Sequence, residues 1–164
     1  GLGADLVPDP DLGYAEPLDR LSKVGHAEAS GKTGHKELFS DCAVICNFVA
    51  RRGVPQNSLV DALNAVTGEE FTVEEIYTAM ERIRCLARAF AIRHGLTPED
   101  DWPSERLLEA PKDGPVAGHT WRPFLKGMIA EYYRFMGWDE RTSKPLRRTL
   151  KKLDLDFVID DIWR

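Results

Sequence analysis

The chain has 164 residues, of which 43% are hydrophobic and 30% charged, and its formal net charge is −5. This length and composition predict one globular domain that can bury its own core. The negative charge argues against a nucleic-acid partner, because phosphate binding needs clustered Lys and Arg. No apolar run approaches the roughly 20 residues that cross a bilayer, so we expect no membrane association. Three cysteines argue against a disulfide framework and favour a reducing, cytoplasmic location.

The first part of the chain is predicted to be a turn-rich lead-in, residues 1–34, that packs on the same domain as the helical residues 35–164. Its Pro and Gly residues leave room for one short helix between Ala15 and Ala29. The chain begins with Gly1 rather than Met, and we therefore expect it to be a fragment of a longer protein.

Two helices are predicted next, over His35–Arg52 and Gln56–Val66. The first ends at Gly53 and Pro55, which are typical of a helix C-terminus. The residues expected to face inward in these two helices are Leu38, Cys42, Ile45, Val49, Leu59, Leu63 and Val66.

The clearest helix starts at Thr72, where Thr72 and Glu75 have the spacing of a capping box. It ends before Gly95 and is predicted to be the spine of the domain. Its expected inward stripe is Val73, Ile76, Met80, Ile83, Ala87 and Phe90, with Tyr77 and Leu86 beside it.

The remainder of the chain alternates connectors and helices. Leu96–Thr120 is rich in Pro and Gly and allows a single turn between Ser104 and Glu109. A helix is expected from Pro123 to Gly137, and a short one after Pro145 followed by an apolar tail. No alternating strand pattern is present. The predicted fold class is all-α, an irregular multi-helix domain with long connectors.

One stretch, Ser40–Phe48, places an acidic residue and two thiols within an apolar run. A buried carboxylate needs a partner, and Asp41 with Cys46 would have one if both faced a cofactor. Spacing alone favours the alternative, in which Asp41 lies at the polar edge of a helix and Cys42 and Cys46 are small core residues.

Other polar residues are interpreted as structural. The four histidines have no metal-ligand spacing and are predicted to be surface residues. Cys85 is assigned to the core, and the adjacent Asp100 and Asp101 to caps or ion pairs. No phosphate-binding loop or nucleophile motif is visible, so we assign no catalytic residue to this chain.

The order of several segments resembles the C-terminal helical part of the tungsten-containing aldehyde:ferredoxin oxidoreductase family, from about Leu18 to Leu153. The segments that carry this resemblance are Asp41–Cys46, Val66–Gly68, the Arg-x-Gly-x-Thr-x-x-Asp-Asp phrase at Arg93–Asp101, Pro103–Arg106, and Glu131–Asp139 with its Gly-Trp-Asp ending.

The resemblance implies aldehyde oxidation to a carboxylic acid at a tungsten bis-pterin (molybdopterin-type) centre, with electrons passing through a 4Fe–4S cluster to ferredoxin. The family's Asp-x-x-Gly-x-Cys motif serves both groups. Carried over, it makes Asp41 a pterin contact, Ile45 a backbone contact with the pterin, and Cys46 the fourth cluster ligand. Val44 stands where the family has glycine.

The other cluster cysteines, the second pterin motif and the catalytic acid/base residues belong to an earlier part of the family's chain. We therefore expect the N-terminal remainder of the same enzyme as a partner, and an isolated chain that is inactive and binds neither group. The resemblance is compatible with either tungsten or molybdenum at the centre. It is also compatible with a homo-oligomer. The alternative is a stand-alone helical protein-interaction domain that keeps the fold without the catalysis.

Overall fold

A computed structural model describes residues 13, 16, 18–19, 21–22, 24–46, 48 and 54–164. Within them the bounded α-helices are α1 (His26–Cys42), α2 (Gln56–Thr67), α3 (Val73–Arg93), α4 (Arg122–Phe135), α5 (Arg147–Lys152) and α6 (Ile159–Ile162). Short 3₁₀ turns cover Pro98–Asp101, Glu105–Leu108 and Asp156–Val158. In this part of the chain, strand-type pairing is limited to one bridge between Trp138 and Pro145. The all-α prediction is confirmed.

Helix α3 is the spine of the fold because it contributes to two hydrophobic clusters. Its N-terminus is closed by the predicted capping box: Thr72 Oγ1 accepts the Glu75 N–H at 3.2 Å, and Glu75 Oε2 accepts the Thr72 N–H at 2.8 Å. Both bonds use donors that would otherwise lack a helical partner, so the start of α3 is well defined.

The first cluster joins the N-terminal half of α3 to α1 and α2. Its buried members are Phe39, Leu59, Val60, Ile76 and Met80. The second cluster joins the C-terminal half of α3 to α4, α5 and the tail. Its buried members are Cys85, Ala89, Tyr133, Met136, Trp138, Leu150, Leu153, Leu155, Val158, Ile159 and Ile162.

Helix α1 differs from its prediction at both ends. It begins at His26 rather than His35 and ends at Cys42 rather than Arg52. Residues 18–19, 21–22 and 24–25 are not helical, so the short helix expected over Ala15–Ala29 is wrong there. Val49 lies outside the described residues. That residues 1–34 pack on the same domain stays a prediction.

Two glycines inside α1, interpreted above as turn residues, instead permit close packing. A Cβ on Gly31 would lie 2.3 Å from Cε1 of Phe135 in α4, and one on Gly34 would lie 2.2 Å from a guanidinium nitrogen of Arg84 in α3. Because glycine has no Cβ, α1 can approach both neighbouring helices at these positions.

Several residues expected to face inward are exposed. Val66 is 86% exposed in α2, where Val60 is buried instead. In α3, Ile83, Ala87 and Phe90 lie on the solvent side. After Met80, the buried residues of α3 are Cys85 and Ala89, because the tail packs on their side of the helix. The Pro/Gly-rich connector does not cover the side that carries Ile83 and Phe90.

The C-terminal half follows the prediction closely. The predicted turn in the connector is present at Glu105–Leu108, but a second turn at Pro98–Asp101 makes the expectation of a single turn wrong. As predicted, α4 is followed by Gly137, at φ 65°, and α5 follows Pro145. In the tail, Val158 and Ile159 are buried, whereas Phe157 is 71% exposed. Of the helices in the described part of the chain, none has both the length and the apolar character that a bilayer crossing requires.

Candidate cofactor-binding turn

The end of α1 is a tight turn over residues 43–45. The Ile45 N–H donates to the Ser40 carbonyl at 2.8 Å, and the Val44 N–H donates to the Asp41 carbonyl at 3.2 Å. This pair of bonds is the Schellman motif, which ends a helix and uses its last carbonyl groups. The helix therefore stops at Cys42, ten residues before the predicted end, although no Gly or Pro is present at this point.

Val44 occupies the position at which this motif normally has glycine. Its φ is 57°, in the left-handed region that a β-branched residue rarely enters. The turn is nevertheless anchored by its neighbours: Ser40 is fully buried and Phe39 is 2% exposed, and Ile45 packs against the first hydrophobic cluster. Tertiary packing thus stabilises a backbone conformation that the Val44 side chain disfavours.

The two predicted cofactor residues are placed on either side of this turn, and both are exposed. Asp41 lies in the last turn of α1, and Cys46 follows Ile45 after the helix has ended. The exposure of Asp41 agrees with the position at the polar edge of a helix that spacing favoured. The assignment of Cys42 and Cys46 to the core by spacing is wrong, because both thiols are exposed.

The exposed carboxylate and thiol fit a group that other residues help to hold. Asp41 can accept hydrogen bonds from an aminopterin edge, and the free thiol of Cys46 can become the thiolate that an iron–sulfur cluster requires. Among the described residues, no three His, Cys, Asp or Glu side chains are grouped so that they could hold a metal ion. The turn therefore offers one ligand of each kind, and the others would have to come from elsewhere.

The backbone of Ile45 is already partly engaged. Its N–H donates to Ser40 within the turn, so a backbone contact between Ile45 and a pterin would have to use the carbonyl oxygen. The Ile45 side chain is half-buried in the first hydrophobic cluster, which leaves the backbone as the part of the residue nearest to a ligand bound at the turn.

The acidic pair in the connector has the structural role that the sequence predicted. Arg88 donates to the two carboxylate oxygens of Asp101 at 2.8 and 2.5 Å, and the Tyr133 hydroxyl donates to the same group. Burial opposes ionisation of Asp101, but the bonds from Arg88 and Tyr133 hold the pKa of the carboxyl below its usual value. Asp100 accepts from the Thr97 N–H at 2.7 Å and so caps the start of the Pro98–Asp101 turn.

The Gly-Trp-Asp motif is also structural. A Cβ on Gly137 would lie 2.4 Å from the Thr149 hydroxyl oxygen, and the Trp138 Nε1–H donates to the Cys85 sulfur at 3.4 Å. Burial raises the pKa of the Cys85 thiol to about 11, so this cysteine is an unreactive core residue. The Asp139 side chain accepts the Thr142 N–H at 2.9 Å in the turn that follows.

Two of the four histidines are buried, contrary to the prediction that all are surface residues. His26 is 8% exposed and His35 is 9% exposed, whereas His94 and His119 are exposed. The His35 ring lies 6.4 Å from that of Tyr77, and its Nε2 is buried without a hydrogen-bond partner among the described residues. Burial and the charge of Arg84 lower the pKa of His35 to about 4.

The described residues define a class of protein by fold: an all-α domain with an exposed carboxylate, Asp41, and an exposed thiol, Cys46, on either side of one turn. The sequence matches the family profile "Aldehyde ferredoxin oxidoreductase, domains 2 & 3" over residues 3–155. The chain belongs to this family.

Individual relatives agree with this assignment. The chain is 40% identical over 148 residues to the tungsten-containing aldehyde ferredoxin oxidoreductase of Pyrococcus furiosus, covering 85% of this chain and 23% of that protein. It is 37% identical over 121 residues to the enzyme of the same name from Pyrococcus abyssi, covering 73% of this chain and 19% of the relative.

A third relative has a different activity in its name. The aliphatic sulfonate oxidoreductase, WOR-like subunit, of Pyrococcus furiosus is 29% identical over 175 residues, covering 100% of this chain and 27% of that protein. The chain thus spans only 19% to 27% of the length of these three relatives, as a C-terminal domain of such an enzyme would.

Proposed function

We propose that this chain acts as the C-terminal domain of a tungstopterin enzyme that oxidises an aldehyde to a carboxylic acid and passes the electrons to ferredoxin. In the full-length enzyme, Asp41 would contact the bis-pterin group and Cys46 would be one ligand of a 4Fe–4S cluster. The observation that carries this proposal is the turn at the end of α1, on either side of which the Asp41 and Cys46 side chains are exposed.

The residues of the chain support these roles by position and by chemistry. A carboxylate that accepts two N–H bonds from an aminopterin edge would orient the group and would be stabilised as a charge when the site is closed. The bound cofactor supplies the redox chemistry of aldehyde oxidation, while the chain supplies orientation and one cluster ligand. Because Ile45 anchors the turn to the hydrophobic cluster, Asp41 and Cys46 would keep their separation as the remainder of the enzyme closes over them.

The experiment is mutagenesis of the full-length enzyme with metal and pterin analysis. Cys46→Ala should reduce bound iron and abolish the cluster's electron paramagnetic resonance signal, because alanine cannot ligate iron. Asp41→Asn should lower the pterin retained after gel filtration, because the amide loses charge-assisted bonds. Cys42→Ala is the matched control: it removes an exposed thiol on the same helix end and should leave both contents unchanged.

Normal cofactor content in both Cys46→Ala and Asp41→Asn would overturn the proposal. It would favour the alternative, a stand-alone interaction domain with the same fold. For the isolated chain we propose neither cofactor binding nor activity, since one thiol cannot hold a cluster. Stoichiometric iron or tungsten in the purified 164-residue chain would contradict that part.

The partners follow from the same proposal. The first is the N-terminal remainder of the enzyme, which would supply the other cluster cysteines and the second pterin motif. The second is ferredoxin as electron acceptor. Within the described residues, all three of the chain's cysteines are free thiols, which is consistent with a reducing, cytoplasmic location.

A further inference from the structure

Val44 combines a disfavoured backbone conformation with a side chain that contributes nothing visible to the fold. Its φ of 57° would suit glycine, and its side chain is 92% exposed. A valine that strains the backbone and leaves its methyl groups in water is unfavourable on both counts for folding. Strain of this kind persists where the surroundings impose it and is often connected with function.

The position of Val44 indicates what that function would be. It follows Asp41 by three residues and precedes Cys46 by two, and its N–H donates to the Asp41 carbonyl at 3.2 Å. The bonds of the Schellman turn, the burial of Ser40 and the packing of half-buried Ile45 against the first hydrophobic cluster oppose relaxation of the segment. Val44 lies between Asp41 and Cys46 on the same turn, so a group bound to both would lie close to the exposed Val44 side chain.

From these observations we infer that the Val44 side chain covers the group held by Asp41 and Cys46 and excludes water from it. This inference rests on the proposed function and adds a role to a residue that neither the motif nor the fold requires as valine. An apolar side chain gains free energy only when its surface leaves water, which here would occur when the enzyme is assembled.

The inference is tested with Val44→Gly and Val44→Ala. In the purified 164-residue chain, Val44→Gly should raise the thermal unfolding midpoint by about 2–4 °C, because glycine adopts the left-handed conformation without strain. Val44→Ala keeps a Cβ and removes only the β-branching, so its gain should be smaller than that of Val44→Gly. An unchanged midpoint in Val44→Gly would overturn the premise that the backbone is strained.

The second readout uses the full-length holoenzyme and the rate at which the iron–sulfur absorbance is lost in air. Val44→Gly should bleach several-fold faster than wild type, and Val44→Ala should be intermediate, because less of the group is covered. Asp154→Gly, at another left-handed position with φ 54°, is the control and should bleach at the wild-type rate.

The outcomes separate this inference from the proposed function. If Cys46→Ala loses the cluster but Val44→Gly bleaches at the wild-type rate, the cofactor role of the turn stands and the covering role of Val44 is wrong. If Cys46→Ala keeps its cluster, the proposed function itself fails, and the covering role of Val44 fails with it.

Discussion

Neighbouring residues at the end of α1 differ in burial, although their residue types do not predict the difference. Ser40 is fully buried and donates through its hydroxyl to the Lys36 carbonyl at 3.1 Å, whereas Asp41 and Cys42 are exposed. A helix rotates about 100° per residue, so a short polar residue can lie inward while the next two face solvent. Whether a side chain in this stretch is exposed to a ligand thus depends on its own position around the helix.

His35 leads to a prediction at the same scale, because it is buried and uncharged. Its pKa is about 4 in the folded chain and near the ordinary 6.5 when unfolded, so the unfolded chain binds more protons between these pH values. The free energy of unfolding should therefore fall as the pH is lowered from 6.5 to 4, by up to roughly 3 kcal/mol, and this contribution should level off below 4. Urea unfolding at a series of pH values measures it.

A pair of leucine variants makes that measurement specific. His35→Leu removes the buried titrating group and should flatten the dependence between pH 6.5 and 4. His119→Leu removes an exposed histidine and should leave the decline intact. An equal decline in both variants would show that other groups cause it.

At the scale of elements, the packing of α1 depends on glycines that helix propensity would exclude. Gly31 and Gly34 lie in the interior of α1, where each costs about 1 kcal/mol relative to alanine. The Arg84 guanidinium donates to the Gly31 carbonyl at 3.1 Å and also to the Tyr132 hydroxyl. These contacts join α1 to α3 and α4 and compensate for the loss of propensity.

Gly31→Ala should therefore destabilise the chain despite alanine's better propensity. The new Cβ would lie 2.3 Å from the Phe135 ring, and displacement of the ring or the helix should cost about 1–3 kcal/mol. Thermal or urea unfolding of the purified chain measures the change.

The control is Gly127→Ala in α4, where no atom lies within 4 Å of the new Cβ. This variant should be more stable than wild type by about 0.5–1 kcal/mol, because the propensity gain has no opposing clash. Stabilisation by both substitutions would contradict the close approach of α1 and α4.

For the molecule as a whole, the two hydrophobic clusters share α3 but differ in composition. The second cluster gathers residues from α3, α4, α5 and the tail, which are distant in sequence. Polar contacts join the second cluster to the Leu96–Thr120 segment: the Arg88 guanidinium lies 4.9 Å from the centre of the Trp138 ring and pairs with Asp101. Loss of this cluster should therefore unfold the C-terminal half as a unit.

Leu150→Ala tests how much the second cluster contributes to the free energy of unfolding. Leu150 is fully buried, and its truncation should reduce the free energy of unfolding by about 2–5 kcal/mol through lost burial and a residual cavity. Phe157→Ala removes a larger side chain that is 71% exposed and should change stability by less than about 1 kcal/mol. Similar losses in the two variants would show that the tail is docked differently from the structure described.

Much of the architecture was accessible from local chemistry. The capping box at Thr72, the glycines after α3 and α4, and Pro145 before α5 are signals that act within a few residues, and the corresponding elements are confirmed. Asp41 and Cys46 became candidate ligands in a different way: spacing alone favoured a structural role, and the resemblance carried by the order of several segments made them candidates.

Other features depended on contacts between distant segments. Gly31 and Gly34 look like turn residues until Phe135 and Arg84 are seen against them. The inward face of α3 shifts to Cys85 because the tail residues Val158, Ile159 and Ile162, which are distant in sequence, pack in the same cluster. Neither partner can be deduced from periodicity, which reports only that one helix face is apolar.

The sequence by itself thus determined the helical class, most helix ends and the pair Asp41 and Cys46 as candidates. Only the tertiary structure decided that α1 ends at Cys42, that both side chains are exposed, and that Val44 is held at φ 57° between them. The physical reason is that burial of Phe39 and Ser40, together with packing of Ile45 against the first hydrophobic cluster, stabilises a left-handed turn that the local preference of valine opposes.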